Sequence, residues 1–411
     1  MPNATLHPIA DGSITSSPGF DAAGVAAGIK ANDALDVALV HASRPCVAAA
    51  VFTTNAFKAA PVLYDQRILA ENPAGLRAAV INAGCANACT GDEGMRNAQA
   101  TAEAAARALG IAACDVMVMS TGVIGAQLPM DKLIPGVAAA AATRSSVIAS
   151  GHDAARAIMT TDTRPKESAV RVTFPGGTFT VAGMAKGAGM VHPNMATLLC
   201  LLTTDAAITP ELAQRALRHA VDASFNMITV DGDTSTNDTA LLMANGSADM
   251  VPITAVDSPA YAAFFQGLTH VLTELAQGIV RDAEGATRFV TITVRGAADA
   301  ATAKQVGMSV AKSLLVKTAI YGRDANWGRI VCAVGYSGAP IDPSRVGVWM
   351  GDLELVRGGA PFDVDEERAS AILEQADIPI TVDLGQGSAE ATVWTCDISH
   401  RYVDINAHYR T

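Results

Sequence analysis

The sequence predicts a mixed α/β protein of the α+β kind, built from layered sheets rather than one strictly alternating βαβ sheet. Three observations predict it: strand and helix patterns follow one another in irregular order, an apolar/polar alternation is interrupted once by a tight turn signal, and no internal repeat, heptad or Gly/Ser linker appears.

Taken in order, Asp92 to Leu109 is rich in Ala and stops at Gly110, which predicts a helix with a glycine stop. Ser168 to Phe174 and Thr178 to Met184 alternate on either side of Pro175-Gly176-Gly177, which predicts a hairpin. Thr209 before Pro210 and Glu211 caps a helix to about Ser224. Ser258-Pro259 opens another, to about Gln277, Phe289 to Val294 reads as a strand, and Asp299 to Thr318 as a helix. The last strands fall at Arg345–Val356, Ile378–Leu384 and Ala389–Cys396.

Composition narrows the function classes. Of 411 residues, 29 are Lys or Arg and 40 Asp or Glu, a net charge of −11; half are hydrophobic and only 17% charged. Such a chain can bury a core, and at about 150 residues per unit it holds two or three. Net acidity without basic runs argues against nucleic acid and anionic membranes as partners and for a small molecule. No uncharged apolar run reaches the roughly 18 residues of a membrane span. The first Lys or Arg is Lys30 and no apolar h-region precedes it, so neither a signal nor a transit peptide is expected. Seven cysteines, an odd number, suit free thiols in the cytoplasm. Cys85 and Cys89 form the one close pair, and with no second pair or histidine partner no metal site is expected.

Three segments carry candidate chemistry. Lys186 to Leu199 follows the hairpin and holds Gly187, Gly189 and Pro193 before an apolar run. It places the Thr197 hydroxyl at a junction between loop and core, near a lysine; spacing alone favours the plainer reading of a Gly-rich turn entering a buried strand. Gly187-x-Gly189 lacks the third glycine of a dinucleotide loop, because His192 stands there. Ser120 to Gly125 is either a strand end presenting N–H groups to an oxyanion or a plain turn. Asp231 to Asp238 resembles a calcium loop but has Thr236 at the sixth place and Leu242 at the twelfth, leaving a polar Asx/Ser/Thr turn.

Ordered motifs then point to a family. They include Ala22 to Lys30, Val51 to Asn55, Ile81 to Gly84, Asn87 to Gly91, Ser120 to Gly125 and Thr160 to Thr163. Further on come Lys186 to Thr197, Thr229 to Thr239, Arg281 to Thr287, Asp324 to Arg329 and Tyr402 to Thr411. From about Gly19 to the C-terminus the sequence resembles the ArgJ (ornithine acetyltransferase, glutamate N-acetyltransferase) family of arginine biosynthesis. It departs from the family pattern at Met227 and Ala325.

The resemblance implies an αββα-type sandwich that cuts itself between Ala196 and Thr197, giving chains 1–196 and 197–411 that stay associated, two of each in the assembly. It implies Thr197 as nucleophile, Thr121 and Gly122 as oxyanion hole, and Thr160, Lys186, Thr197, Glu284, Asn406 and Thr411 as substrate-binding residues. The implied reaction takes the acetyl group of N2-acetylornithine to glutamate, with no metal and no tightly held cofactor, and with acetyl-CoA as a further co-substrate in bifunctional members. Competing readings are a related self-processing aminopeptidase or amidohydrolase, and a non-enzymatic small-molecule binding or scaffold protein.

Overall fold

The structure, a computed structural model, describes residues 4–31, 33–192, 198–362 and 365–408. The first part of the chain runs β1 (Thr5–Pro8), β2 (Phe20–Val25), β3 (Val37–Phe52), α1 (Ala60–Glu71), β4 (Leu76–Cys85), α2 (Gly91–Leu109), β5 (Val116–Val123), α3 (Met130–Thr143) and α4 (Ile148–Ala157). It continues with β6 (Lys166–Phe174), β7 (Gly177–Lys186), β8 (Leu199–Thr204), α5 (Pro210–Asp222), β9 (Thr239–Ala244) and α6 (Pro259–Arg281). These strands form one nine-stranded sheet in the order β1-β6-β7-β8-β9-β3-β4-β5, with β2 also on β3.

The sheet folds over on itself through β3. Val37 to Ala42 pair with β2, and most of that stretch also pairs with β4. Val47 to Phe52 pair with β9, and the register with β4 shifts between His41 and Cys46. Two layers therefore face each other. Side chains alternate across a strand, and β8 and β9 show it: Leu199, Leu201, Leu241 and Met243 join the core of the β3–β5 layer, while Cys200, Leu202, Ala240 and Leu242 join a second core beneath α5 and α6. Helices α1–α4 cover the far side of the β2–β5 layer. The expected αββα layering is present here.

The rest of the chain builds a second unit. It comprises β10 (Phe289–Ala297), α7 (Ala300–Lys312), α8 (Leu314–Tyr321), α9 (Trp327–Gly335), β11 (Gly347–Met350), β12 (Leu353–Arg357), β13 (Ala360–Pro361), α10 (Glu366–Leu373), β14 (Asp377–Asp383), β15 (Ala389–Cys396) and α11 (His400–His408). Its six-stranded sheet, β13-β12-β11-β14-β10-β15, has its own core. The junction between the two packing units lies near Arg281–Phe289, so it does not coincide with position 196/197.

Local expectations hold where the signal is local. Phe174 pairs Gly177 across the hairpin turn, Gly110 closes α2 at φ +69°, and Thr209 and Ser258 accept N–H bonds as N-caps. The expected helix 299–318 is two helices, because Ser313 takes an extended backbone and caps α8. The expected strand 345–356 is a hairpin, because Gly351 at φ +60° turns the chain. No helix among the described residues is long and apolar enough to cross a membrane.

One buried carboxyl has no place in the site. Asp65 on α1 is fully buried; one oxygen accepts the Val118 N–H at 2.8 Å, and the other has no partner among the described residues. Burial pushes this carboxyl well above its ordinary range, against the single N–H bond.

Candidate active site

One pocket opens where β4, β5 and β7 end. Its lining includes Thr121, Gly122, Thr160, Lys186, Glu284 and Asn406, so the structure brings together every expected site residue that it describes. Ala196, Thr197 and Thr411 lie outside the described residues. The chain resumes at Leu198, and Leu199 pairs with Lys186 across β7 and β8.

The segment expected to form an oxyanion hole sits where the parallel strands β4 and β5 run together. Gly122 has φ +132°, and a Cβ there would stand 2.3 Å from the Gly84 carbonyl carbon, so no other residue fits. Asn237 Nδ2 donates to the carbonyls of Ala86 (2.6 Å) and Ser120 (2.8 Å), fastening the ends of both strands.

Lys186 is buried at the end of β7, and its Nζ donates to Thr121 Oγ1 at 3.3 Å. Burial lowers the lysine from its ordinary range, opposed chiefly by the Asp162 carboxylate. Asp162 behaves oppositely: burial works to raise it, but Lys186 and Lys166 prevail and hold it at about 2. Its Oδ2 accepts the Thr160 N–H (2.9 Å) and its Oδ1 the Gly187 N–H (2.8 Å). Lys166 donates to both Asp162 and Asp282, and Asp282 in turn takes the Thr163 N–H (3.0 Å). This buried network fixes the turn that presents Thr160.

Elsewhere in the lining Glu284 Oε2 accepts from Asn406 Nδ2 at 2.7 Å, and the Glu284 N–H donates to the Ala188 carbonyl at 2.9 Å. The Gly-rich turn is held by Asp231, which accepts the N–H groups of Met190 (2.6 Å) and Val191 (2.9 Å). Met190 stands at φ +57°, where a non-glycine residue needs such support. Tyr402 OH donates to the same carboxylate at 3.2 Å, tying α11, which has no buried residue, to the pocket.

Asp162, Lys166, Asp282, Asp231 and Asn237 also shape the site, although the sequence does not single them out. The signal was there in part: the polar run 231–238 fails as a calcium loop, yet Ser235, Thr236 and Asn237 line the pocket. No cluster among the described residues is arranged to hold a metal ion.

A buried cation and a carboxylate in one pocket match a small molecule that carries both charges, and Thr121 and Gly122 at the end of β5 line the same pocket. The layered fold and this pocket define an enzyme that works on amino-acid-like molecules. More particularly, the chain belongs to the ArgJ family, whose model matches residues 21–411. It is 50% identical over 402 residues to the arginine biosynthesis bifunctional protein ArgJ of Symbiobacterium thermophilum, covering 97% of this chain and 99% of that one. The ArgJ protein of Geobacter sulfurreducens is 49% identical over 394 residues, covering 96% of this chain and 99% of its own. Among solved structures, that of ornithine acetyltransferase complexed with ornithine from Mycobacterium tuberculosis is 46% identical, covering 47% of this chain and 100% of that chain, with a TM-score of 0.43. The family expected from the motifs is thus borne out, and the protein is an enzyme of arginine biosynthesis.

Proposed function

We infer that this pocket transfers the acetyl group of N2-acetylornithine to glutamate through an ester on Thr197. The observation that carries the reading is the convergence of Thr121, Gly122, Thr160, Lys186, Glu284 and Asn406, from distant parts of the chain, beside the Lys186–Leu199 strand pair that flanks position 197.

The sequence of steps begins with self-cleavage. The Thr197 hydroxyl oxygen bonds to the Ala196 carbonyl carbon, the C–N bond breaks, and the nitrogen becomes an amine; water then hydrolyses the ester. The new α-amine, with an ordinary pKa of about 7.7–8.0, is a base beside the hydroxyl. In transfer, the hydroxyl attacks the acetyl carbon of acetylornithine, its proton passes to the α-amine and on to the departing ornithine amine, and the acetyl ester remains. The glutamate amine then attacks the ester, the C–O bond breaks, and the hydroxyl recovers its proton. Thr121 and Gly122 bind the negative oxygen of each tetrahedral intermediate. Lys186 pairs the substrate α-carboxylate, Glu284 the ornithine ammonium, and Asn406 and Thr411 close the pocket.

The reading includes chains 1–196 and 197–411 held together in an assembly of two of each, acetyl-CoA as an additional acetyl donor, no metal or bound cofactor, and a cytoplasmic location. That the relatives from Symbiobacterium thermophilum and Geobacter sulfurreducens are named bifunctional supports the second donor. A denaturing gel tests the core of it: wild-type protein runs as two bands and Thr197→Ala as one. Two bands from the alanine variant overturn the reading. Acetate release from acetylornithine without any need for glutamate would instead make the enzyme a hydrolase.

A further inference from the structure

We propose that the adjacent residues Asn237 and Asp238 are positioning residues for acyl transfer: Asn237 holds the oxyanion strand, Asp238 holds the nucleophile strand, and one backbone step between them sets the spacing of the two. The proposal rests on the reading of Thr197 as nucleophile and of Thr121 and Gly122 as oxyanion hole.

Strand geometry accounts for the division of labour. Successive side chains of an extended segment point to opposite faces. On β9, Leu241 and Met243 face the β3–β5 layer and Ala240 and Leu242 face α5 and α6. Carried back to the residues just before the strand, the same alternation puts Asn237 on the β4–β5 side and Asp238 on the other. The bonds agree. Asn237 Nδ2 holds the carbonyl of Ser120, the residue before Thr121, and that of Ala86. Its Oδ1 is held in turn by the Thr236 hydroxyl at 2.6 Å, which fixes the amide's orientation.

Asp238 grips the other half. Its Oδ1 accepts the N–H of Leu198 at 3.1 Å, and the Leu198 carbonyl accepts the N–H of Thr239 at 3.2 Å. Both backbone groups of the residue bonded directly to Thr197 are therefore taken by residues 238 and 239. Asn237 and Asp238 are both buried, where a polar group left without its partner is costly. A nucleophile and an oxyanion hole must meet the same carbonyl, and a misplacement of about 1 Å between them costs roughly 100-fold in rate.

The test uses the full-length protein and three substitutions beside Thr197→Ala. Asn237→Asp keeps the shape but removes both donors. It is expected to slow self-cleavage roughly 100-fold and, in the fraction that splits, to lower kcat similarly with KM for acetylornithine within about twofold. Asp238→Ala is expected to slow self-cleavage comparably, and Asp238→Asn, which keeps an oxygen for the Leu198 N–H, to restore it. Normal splitting and kcat in Asn237→Asp, or a loss confined to KM, overturns the proposal, as does equal failure of both Asp238 variants. Asn237→Ser, with one donor left, replaces Asn237→Asp if that variant does not fold; aggregation of both makes Asn237 a folding residue and also overturns it. If Thr197→Ala itself splits, the underlying reading fails instead, so the two failures are distinguishable.

Discussion

Gly189 and Glu284 share space that only one side chain can occupy: a Cβ at position 189 would stand 2.4 Å from Glu284 Oε2 and 2.6 Å from its Cδ. The glycine is there for the room it leaves and not for its backbone angle, since it is absent from the positive-φ glycines. Gly189→Ala is accordingly expected to fold normally and push the carboxylate off its place. The clash is with the far end of a flexible side chain, so the cost falls on its charged hydrogen bond to substrate, about 1.5–3 kcal/mol, or about 10- to 150-fold. The loss should appear as a raised KM for acetylornithine in steady-state kinetics, and an unchanged KM would show that Glu284 does not bind that substrate.

Lys186 offers a sharper test of the charge pairing. Removing one partner of a buried pair costs about 2–5 kcal/mol, so Lys186→Met should lower kcat/KM at least about 30-fold. Asp162 keeps Lys166 as a partner in that variant, so the thermal unfolding midpoint should move little. Wild-type kcat/KM in the methionine variant would remove Lys186 from substrate binding.

Asp65 predicts a pH effect on stability away from the site. Its folded-state pKa lies above the unfolded value of about 3.9. The folded chain therefore keeps a proton that the unfolded chain releases, and stability is lost as pH rises from about 4 toward the folded pKa. Asp65→Asn removes this dependence. Unfolding midpoints measured in a series of buffers from about pH 5 to 8 should fall less steeply for the variant than for wild type. Identical slopes would mean that Asp65 is ionised in the folded protein.

What the sequence made legible follows from how far each signal reaches. The 168–184 hairpin depends on three consecutive turn residues, and the caps at Thr209 and Ser258 on the next few. The double duty of β3 depends on β9, nearly 200 residues away; the interruption Ser43-Arg44-Pro45 within Val37–Phe52 marks a break but not the new partner. The break at Ser313 was hidden because the flanking apolar spacing continues through it. In the site, Thr121, Gly122, Thr160, Lys186, Glu284 and Asn406 were legible through ordered motifs. Lys166 was not, because its bridge from Asp162 to Asp282 is completed by a residue 116 positions on. Asn237 reads as a turn residue until Ala86, 151 positions back, is placed against it.

The strand order has a last consequence. Across position 196/197, β7 pairs β8 through six residue pairs and β9 pairs β3 through six more. A molecule that folds as one chain and is then cut there becomes a complex whose halves share a single hydrogen-bonded sheet. The halves cannot drift apart or trade partners with those of another molecule without the sheet coming undone. Once undone, reassembly requires two chains to find each other, so its rate depends on concentration as the original folding did not. The persistence of such a protein is then a matter of how slowly it opens rather than of an equilibrium it can revisit.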